Sequence, residues 1–203
     1  MTLAPAVVEG DGRDGECECE DGFPEPMRAD EKVNAIAIKP FGHNTHVFGL
    51  GPWDDKPANC VYYDCVDEAQ LLTEFIKFWR KASFDIVTGW NVNHFDITYL
   101  CNRIDRLFGE DTHKKLSPWG MSSVREFTNF GYQKNQVFDL NGVNIVDYLE
   151  LYRRSTFHNQ ESYKLDYIAH FELGKKKLDY SEYGSLHTLY KSKYKYIKSG
   201  KFR

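Results

Sequence analysis

The chain has 203 residues with 30 acidic and 26 basic side chains, a formal net charge of −4. That is enough for one sizeable core, and the charge excludes a protein whose whole surface grips nucleic acid electrostatically. The balance is compatible with an enzyme that takes a short nucleic-acid end into an acidic, metal-holding cleft. The five cysteines (Cys17, Cys19, Cys60, Cys65, Cys101) are odd in number and lack zinc-finger pairing, and Cys17 and Cys19 stand too close for the usual zinc spacing. No signal-peptide pattern or run of membrane-spanning length occurs, so a soluble intracellular protein with reduced thiols is expected.

In chain order, the segment up to about Asp21 is rich in Gly, Asp and Glu and reads as a loop or frayed end. Val33–Ile38, Thr45–Leu50 and Cys60–Tyr63 read as three strands separated by Gly, Pro and Asn, which predicts an antiparallel meander. Asp67 to Gln70 forms a capping box, and Leu71, Leu72, Phe75, Ile76 and Trp79 follow at helical spacing. Phe84–Gly89 reads as a buried strand. The next helix carries Ile97, Leu100, Ile104, Leu107 and Phe108 on one face. Val137–Leu140 and Val143–Val146 flank Asn141-Gly142 and read as a strand pair.

Ser162 is expected to start a helix burying Leu165, Ile168, Ala169 and Leu173, with Gly174 stopping it. A last helix is expected from about Ser185 to Ser199, with Leu186, Leu189, Tyr190, Tyr194 and Ile197 inward. A meander followed by β-α-β alternation is a mixed α/β sheet in one domain over residues 1–203.

Cutting a phosphodiester calls for an activated water and a stabilised leaving oxygen, which two hard divalent ions supply through carboxylate ligands. Acids at i and i+2 of a strand share one face. Asp14-Gly15-Glu16 has that spacing, but Glu16, Glu18 and Glu20 have it too, and a solvated acidic segment would look the same. Asp96 opens a helix directly after a strand and a turn, where an Asp serves either as an N-cap or as a catalytic carboxylate. His43, His46 and His94 lack partners that complete a ligand set in sequence, and no role is assigned to them.

The segment Phe84 to Leu100, with Gly89-Trp90-Asn91 and Phe95-Asp96 intact, closely resembles the second exonuclease motif of family B DNA polymerases. Asn102-Arg103-Ile104, Leu116-Ser117-Pro118, Gly142 to Tyr152 and Lys176 to Tyr180 resemble the T-even phage members, so the likeness runs from roughly Asp14 to Ile197. Gly22 to Pro26 is similar to the segment following the family's first motif, Asp-x-Glu, and that register falls on Asp14 and Glu16.

The resemblance implies a ribonuclease H-like mixed α/β fold flanked by helices and a 3′→5′ proofreading exonuclease domain of a phage replicative polymerase. It implies two Mg²⁺ ions, with Mn²⁺ as an alternative, held by Asp14, Glu16 and Asp96 as catalytic metal ligands. Phe23, Asn91 and Phe95 become contacts to the terminal nucleotides, with sequence-tolerant stacking. The partners implied are a single-stranded DNA 3′ end, primer-template and the remaining polymerase polypeptide, in the host cytoplasm and away from membranes. Ser117 to Asn141 would be a β-hairpin that helps move the primer end between sites.

Three departures accompany the likeness. Gly15 separates the first two acids where the family has a hydrophobic residue, and Gly weakens a strand. The third motif, Tyr-x-x-x-Asp, would fall on Ser199 to Arg203 in register from Tyr180, with Ser and Arg in the Tyr and Asp places. Third, no polymerase N-terminal domain precedes the exonuclease segment and no palm, fingers or thumb follows it, so a truncation before the third motif is expected, the chain being a fragment or one half of a polymerase encoded in pieces. The alternative expectation is a catalytically inactive domain that binds single-stranded DNA or the polymerase partner.

Overall fold

The structure is a computed structural model and describes residues 2–9, 25–54, 56–128 and 134–175. Eight strands and four α-helices are found among these residues: β1 Thr2–Glu9, β2 Lys32–Lys39, β3 Thr45–Leu50, β4 Cys60–Cys65, α1 Glu68–Ala82, β5 Ile86–Gly89, α2 Thr98–Phe108, β6 Ser122–Thr128, β7 Lys134–Leu140, β8 Asn144–Asp147, α3 Tyr148–Ser155 and α4 Leu165–Leu173. Six strands form one sheet in the order β4-β3-β2-β1-β5-β8, and β6 and β7 form a separate ribbon. The architecture is mixed α/β: β2 is antiparallel to both its neighbours, whereas β3–β4, β1–β5 and β5–β8 are parallel.

α1 follows its periodicity. The Asp67 carboxylate accepts the Gln70 N–H at 2.8 Å, and the Gln70 side chain accepts the Val66 N–H at 2.8 Å, which satisfies two otherwise orphan donors. Leu71, Leu72, Phe75, Ile76 and Trp79 are all buried, and the helix lies against β2, β3 and β4. Phe48 stacks on Tyr63 at 4.3 Å and meets Phe75 edge-on at 5.7 Å, so the aromatic residues concentrate where α1 crosses the sheet.

Four expectations from the sequence are corrected. Residues 2–9, read as part of a loop, form β1 between β2 and β5. Pro5 hides that strand from inspection, because it lacks an N–H, and it falls where the β1–β2 register shifts between Ala4 and Val7. The third strand of the expected meander is parallel to the second. The returning segment passes over β4, where Trp53 meets Tyr62 edge-on at 5.5 Å and the Tyr62 hydroxyl donates to Gly51 O. Gly49 makes room for that tyrosine, since a Cβ there would lie 2.6 Å from its hydroxyl.

β7 and β8 do not pair with each other. β7 pairs with β6, and β8 pairs with β5 from Ile86↔Asn144 to Gly89↔Asp147. Asn141-Gly142 forms the expected turn, closed by Val143 N–H on Leu140 O at 3.0 Å, but a turn fixes local direction and not the partner strand. The helix expected from Ser162 starts at Leu165. Of its expected inward face Ile168 is buried at 4% exposure, while Leu165 and Leu173 stay exposed. Periodicity marks an apolar face but not what covers it. The last helix, about Ser185 to Ser199, lies outside the described residues.

Among the described residues no helix is long and apolar enough to cross a membrane. Among the described residues Cys60, Cys65 and Cys101 are free thiols, and burial pushes Cys101 well above its ordinary pKa.

Candidate active site

β5 ends at the buried Gly89, and the chain then turns sharply through Trp90, Asn91 and Val92. Asn91 is left-handed with φ +59°, a conformation that Asn tolerates better than most residues with a Cβ. Residues Asn93–Ile97 form a π-helical turn before α2 begins at Thr98, and Ile97 N–H reaches Val92 O across five residues at 2.9 Å. Asp96 lies on this wide turn, so it is not the N-cap of a regular helix. Asp96 is 2% exposed.

The turn is held from several sides. Thr98 Oγ1 lies 2.9 Å from Asn93 O and 3.2 Å from Gln136 O on β7. Gln136 Nε2 donates to Asn102 Oδ1 at 2.8 Å, which ties the ribbon to α2. The Asp147 carboxylate, at the end of β8, accepts the Asn91 N–H at 3.0 Å and the Asn93 N–H at 3.1 Å. His94 Nε2 stands 3.1 Å from Glu150 Oε1 on α3, and its ring meets Phe127 of β6 edge-on at 5.7 Å. Phe95 stacks on Tyr99 of α2 with ring centres 6.0 Å apart. Trp90 donates its indole N–H to Tyr163 O at 3.2 Å.

A second set of contacts secures the segment leading to β2. Arg103 makes a two-pronged pair with Glu68, Nε to Oε1 at 2.8 Å and Nη2 to Oε2 at 2.7 Å, and Glu68 Oε1 also accepts the Val33 N–H at 2.7 Å. Arg103 Nη1 donates to Ala29 O and Asp30 O. Tyr99 hydroxyl donates to Glu31 O, and Asn102 donates to Pro26 O. One face of α2 thus grips residues 26–31, while the turn bearing Asp96 leads directly into the same helix.

Of the expected site residues, Asn91, Phe95 and Asp96 come together on this one turn. Asp14, Glu16 and Phe23 lie outside the described residues, as do Ser199 and Arg203. Among the described residues no three His, Cys, Asp or Glu side chains gather as a metal set. The donor chemistry of the turn nevertheless suits a hard divalent cation. Asp96 supplies carboxylate oxygens, and Asn93 Oδ1 is buried without a hydrogen-bond partner, a polar oxygen that calls for a ligand or water. Asp147 and Glu150 shape the site without standing out in the sequence, and His94, which carries no ligand partner in sequence, is held by Glu150. The one available signal was Asp147 standing at the start of a helix, as an N-cap does.

A profile of the DNA polymerase family B exonuclease domain matches residues 13–168. The chain is 36% identical over 186 residues to a DNA-directed DNA polymerase of Escherichia phage RB69, covering 79% of this chain and 20% of that protein. It is 31% identical to a DNA-directed DNA polymerase of Enterobacteria phage T4, covering 79% and 21%. It is 32% identical over 183 residues to the DNA polymerase catalytic subunit of Human herpesvirus 6A (strain Uganda-1102), covering 83% and 18%. The chain therefore spans about a fifth of the length of these curated relatives. The likeness to phage polymerases seen in the motifs thus extends over most of the chain.

Proposed function

Because the chain belongs to the exonuclease domains of family B DNA polymerases, we propose that it is a 3′→5′ proofreading exonuclease domain of a phage replicative polymerase, acting on single-stranded DNA 3′ ends. The observation that carries this reading is the buried Asp96 carboxylate on a turn shared with Asn91 and Phe95, at the carboxyl end of β5. Ligand sites of open α/β sheets lie outside the carboxyl ends of parallel strands, and β5 and β8 both end here. We read the sheet, with its single reversed strand, as ribonuclease H-like, and residues 1–203 as one domain.

Asp14, Glu16 and Asp96 are the carboxylates we assign to divalent metal, Mg²⁺ or Mn²⁺, which when bound as a pair supplies an activated water and a stabilised leaving oxygen. Asn91 and Phe95 orient the terminal nucleotides, and Phe23 stacks on the unpaired base. The buried setting of Asp96 keeps its carboxylate from swinging into solvent, so its oxygens stay where the scissile phosphate must arrive. The β6–β7 ribbon, tied to α2 through Gln136, is assigned to guiding the primer end. Primer-template and the remaining polymerase polypeptide are the proposed partners, in the cytoplasm of the phage's host.

A second reading, single-stranded DNA or polymerase binding without cleavage, is favoured by Ser199 and Arg203 standing where the family's Tyr and Asp fall. One experiment separates the two. A 5′-labelled oligonucleotide is incubated with the chain and Mg²⁺, in parallel with Asp96→Ala. Shortening from the 3′ end that vanishes in the variant supports the exonuclease. Retention of the oligonucleotide in chelator, with no shortening in Mg²⁺, supports the binding reading. Shortening that survives Asp96→Ala refutes the assigned site.

A further inference from the structure

We propose that Asp147 is a positioning residue of this site: its single carboxylate sets the backbone of the turn carrying Asn91, Asn93 and Asp96. The inference rests on the exonuclease reading for its consequence, and on geometry alone for the clamp itself. Asp147 is 6% exposed, and its carboxylate accepts three backbone N–H groups, Asn91 and Leu149 on Oδ1 and Asn93 on Oδ2, at 3.0, 3.0 and 3.1 Å. The Leu149 bond is an ordinary helix N-cap for α3. The other two cross 56 and 54 residues of sequence and serve no element of regular structure near Asp147.

The reach follows from register. β8 runs parallel to β5 with Asp147 opposite Gly89, so the Asp147 side chain emerges where β5 gives way to the turn. Two donors two residues apart, Asn91 and Asn93, then bracket Val92 and fix the left-handed step at Asn91. Once that step is set, the Phe95 N–H closes on Asn91 O at 3.0 Å and the Ile97 N–H on Val92 O at 2.9 Å, and the wide turn bearing Asp96 follows.

Only a carboxylate of this length suits the task. It offers two acceptor oxygens and no donor. Asn would turn an N–H₂ towards one of the backbone N–H groups, and Ser can cap Leu149 but lacks the length and the second oxygen. Glu150, three residues further on in α3, adds a side-chain hold on His94 at 3.1 Å, so the β8–α3 junction grips the turn at three residues.

The test uses the full chain with Asp147→Ser, which retains a helix cap, and Asp147→Asn. Hydrogen exchange is read at the Asn91 and Asn93 amides, Mn²⁺ affinity by paramagnetic resonance, and oligonucleotide affinity in chelator. For D147S, exchange at both amides rises at least about tenfold, and Mn²⁺ affinity falls about 10- to 100-fold, the range typical of losing an outer partner that orients a metal site. Cooperative thermal unfolding is retained, and D147N lies between D147S and wild type. Should D147S fail to fold, D147N carries the same readouts. Unchanged exchange at the two amides overturns the clamp. Opened amides with wild-type Mn²⁺ and oligonucleotide affinities overturn its positioning role. If the wild-type chain neither binds Mn²⁺ nor shortens DNA, the exonuclease reading fails on its own, and the exchange rates with the oligonucleotide affinity still decide the clamp.

Discussion

Arg103→Met removes the cation from the buried pair that joins α1, α2 and the segment before β2. The loss is computable from the contacts. Glu68 loses two charge-assisted hydrogen bonds and keeps only the Val33 N–H, while Ala29 O and Asp30 O lose a donor. The Arg103 and Glu68 side chains are 9% and 8% exposed, so water cannot replace the partner. Breaking one side of such a pair costs about 3–5 kcal/mol, against about 5–15 kcal/mol for a whole domain. With a urea m-value near 2 kcal/mol/M, inside the about 1–3 range of small proteins, the midpoint should fall by about 1.5–2.5 M. Glu68→Leu combined with Arg103→Met removes both charges and should cost less than the two single changes added, leaving about 1–3 kcal/mol for the bereft backbone groups. Equilibrium unfolding in urea measures all three variants. A single-variant loss below about 1 kcal/mol, or strictly additive costs, would refute the reasoning that the pair is desolvated and mutually dependent.

Burial, and then the charge of His43, hold His46 below its ordinary pKa of 6.5. The folded state then binds fewer protons than the unfolded one, so this stabilisation is present above about pH 6.5 and is lost as pH falls towards the lowered folded value. His46→Gln should flatten that part of the acid-side decline in urea midpoints, and an unchanged slope would count against the burial argument. Cys101, pushed up by complete burial, should resist thiol reagents until the protein unfolds, whereas the half-buried Cys60 reacts before it; mass spectrometry of the labelled peptides gives the order. Gly142 has φ +90°, and an added Cβ would meet Pro118 Cγ at 2.6 Å, so Gly142→Ala should cost on the order of 1–3 kcal/mol in the same urea assay.

The sequence was most legible where one local pattern decides the outcome. α1 emerges as expected because a capping box and a 3.6-residue apolar stripe both act within one element. Asn91, Phe95 and Asp96 fall on one turn because they are neighbours in a contiguous motif. What escaped depends on pairings across long separations. Asn141-Gly142 announces a turn, yet the β7 partner lies upstream in the polar β6, and β8 crosses to β5. Asp147 looks in sequence like an ordinary cap, and its hold on Asn91 exists only once β8 lies beside β5. β1 was hidden by Pro5 and by its Ala-rich composition, which lack the β-branched alternation of an obvious strand.

The wide turn at Asn93–Ile97 has one further consequence, for the tolerance of length changes. Each α-helical residue advances the helix by about 100°, and a π turn holds one residue more than the α repeat. Removing a single residue from 93–95 would let the turn relax into ordinary helix while Asp96, Ile97 and the buried stripe of α2 (Leu100, Cys101, Ile104) kept their phase against the core. Asn91, on the far side of the deletion, would then be swung roughly a quarter-turn out of register with Asp96. Such a deletion variant should keep the packing of α2 while pulling Asn91 and its Asp147 bonds out of line with the Asp96 carboxylate.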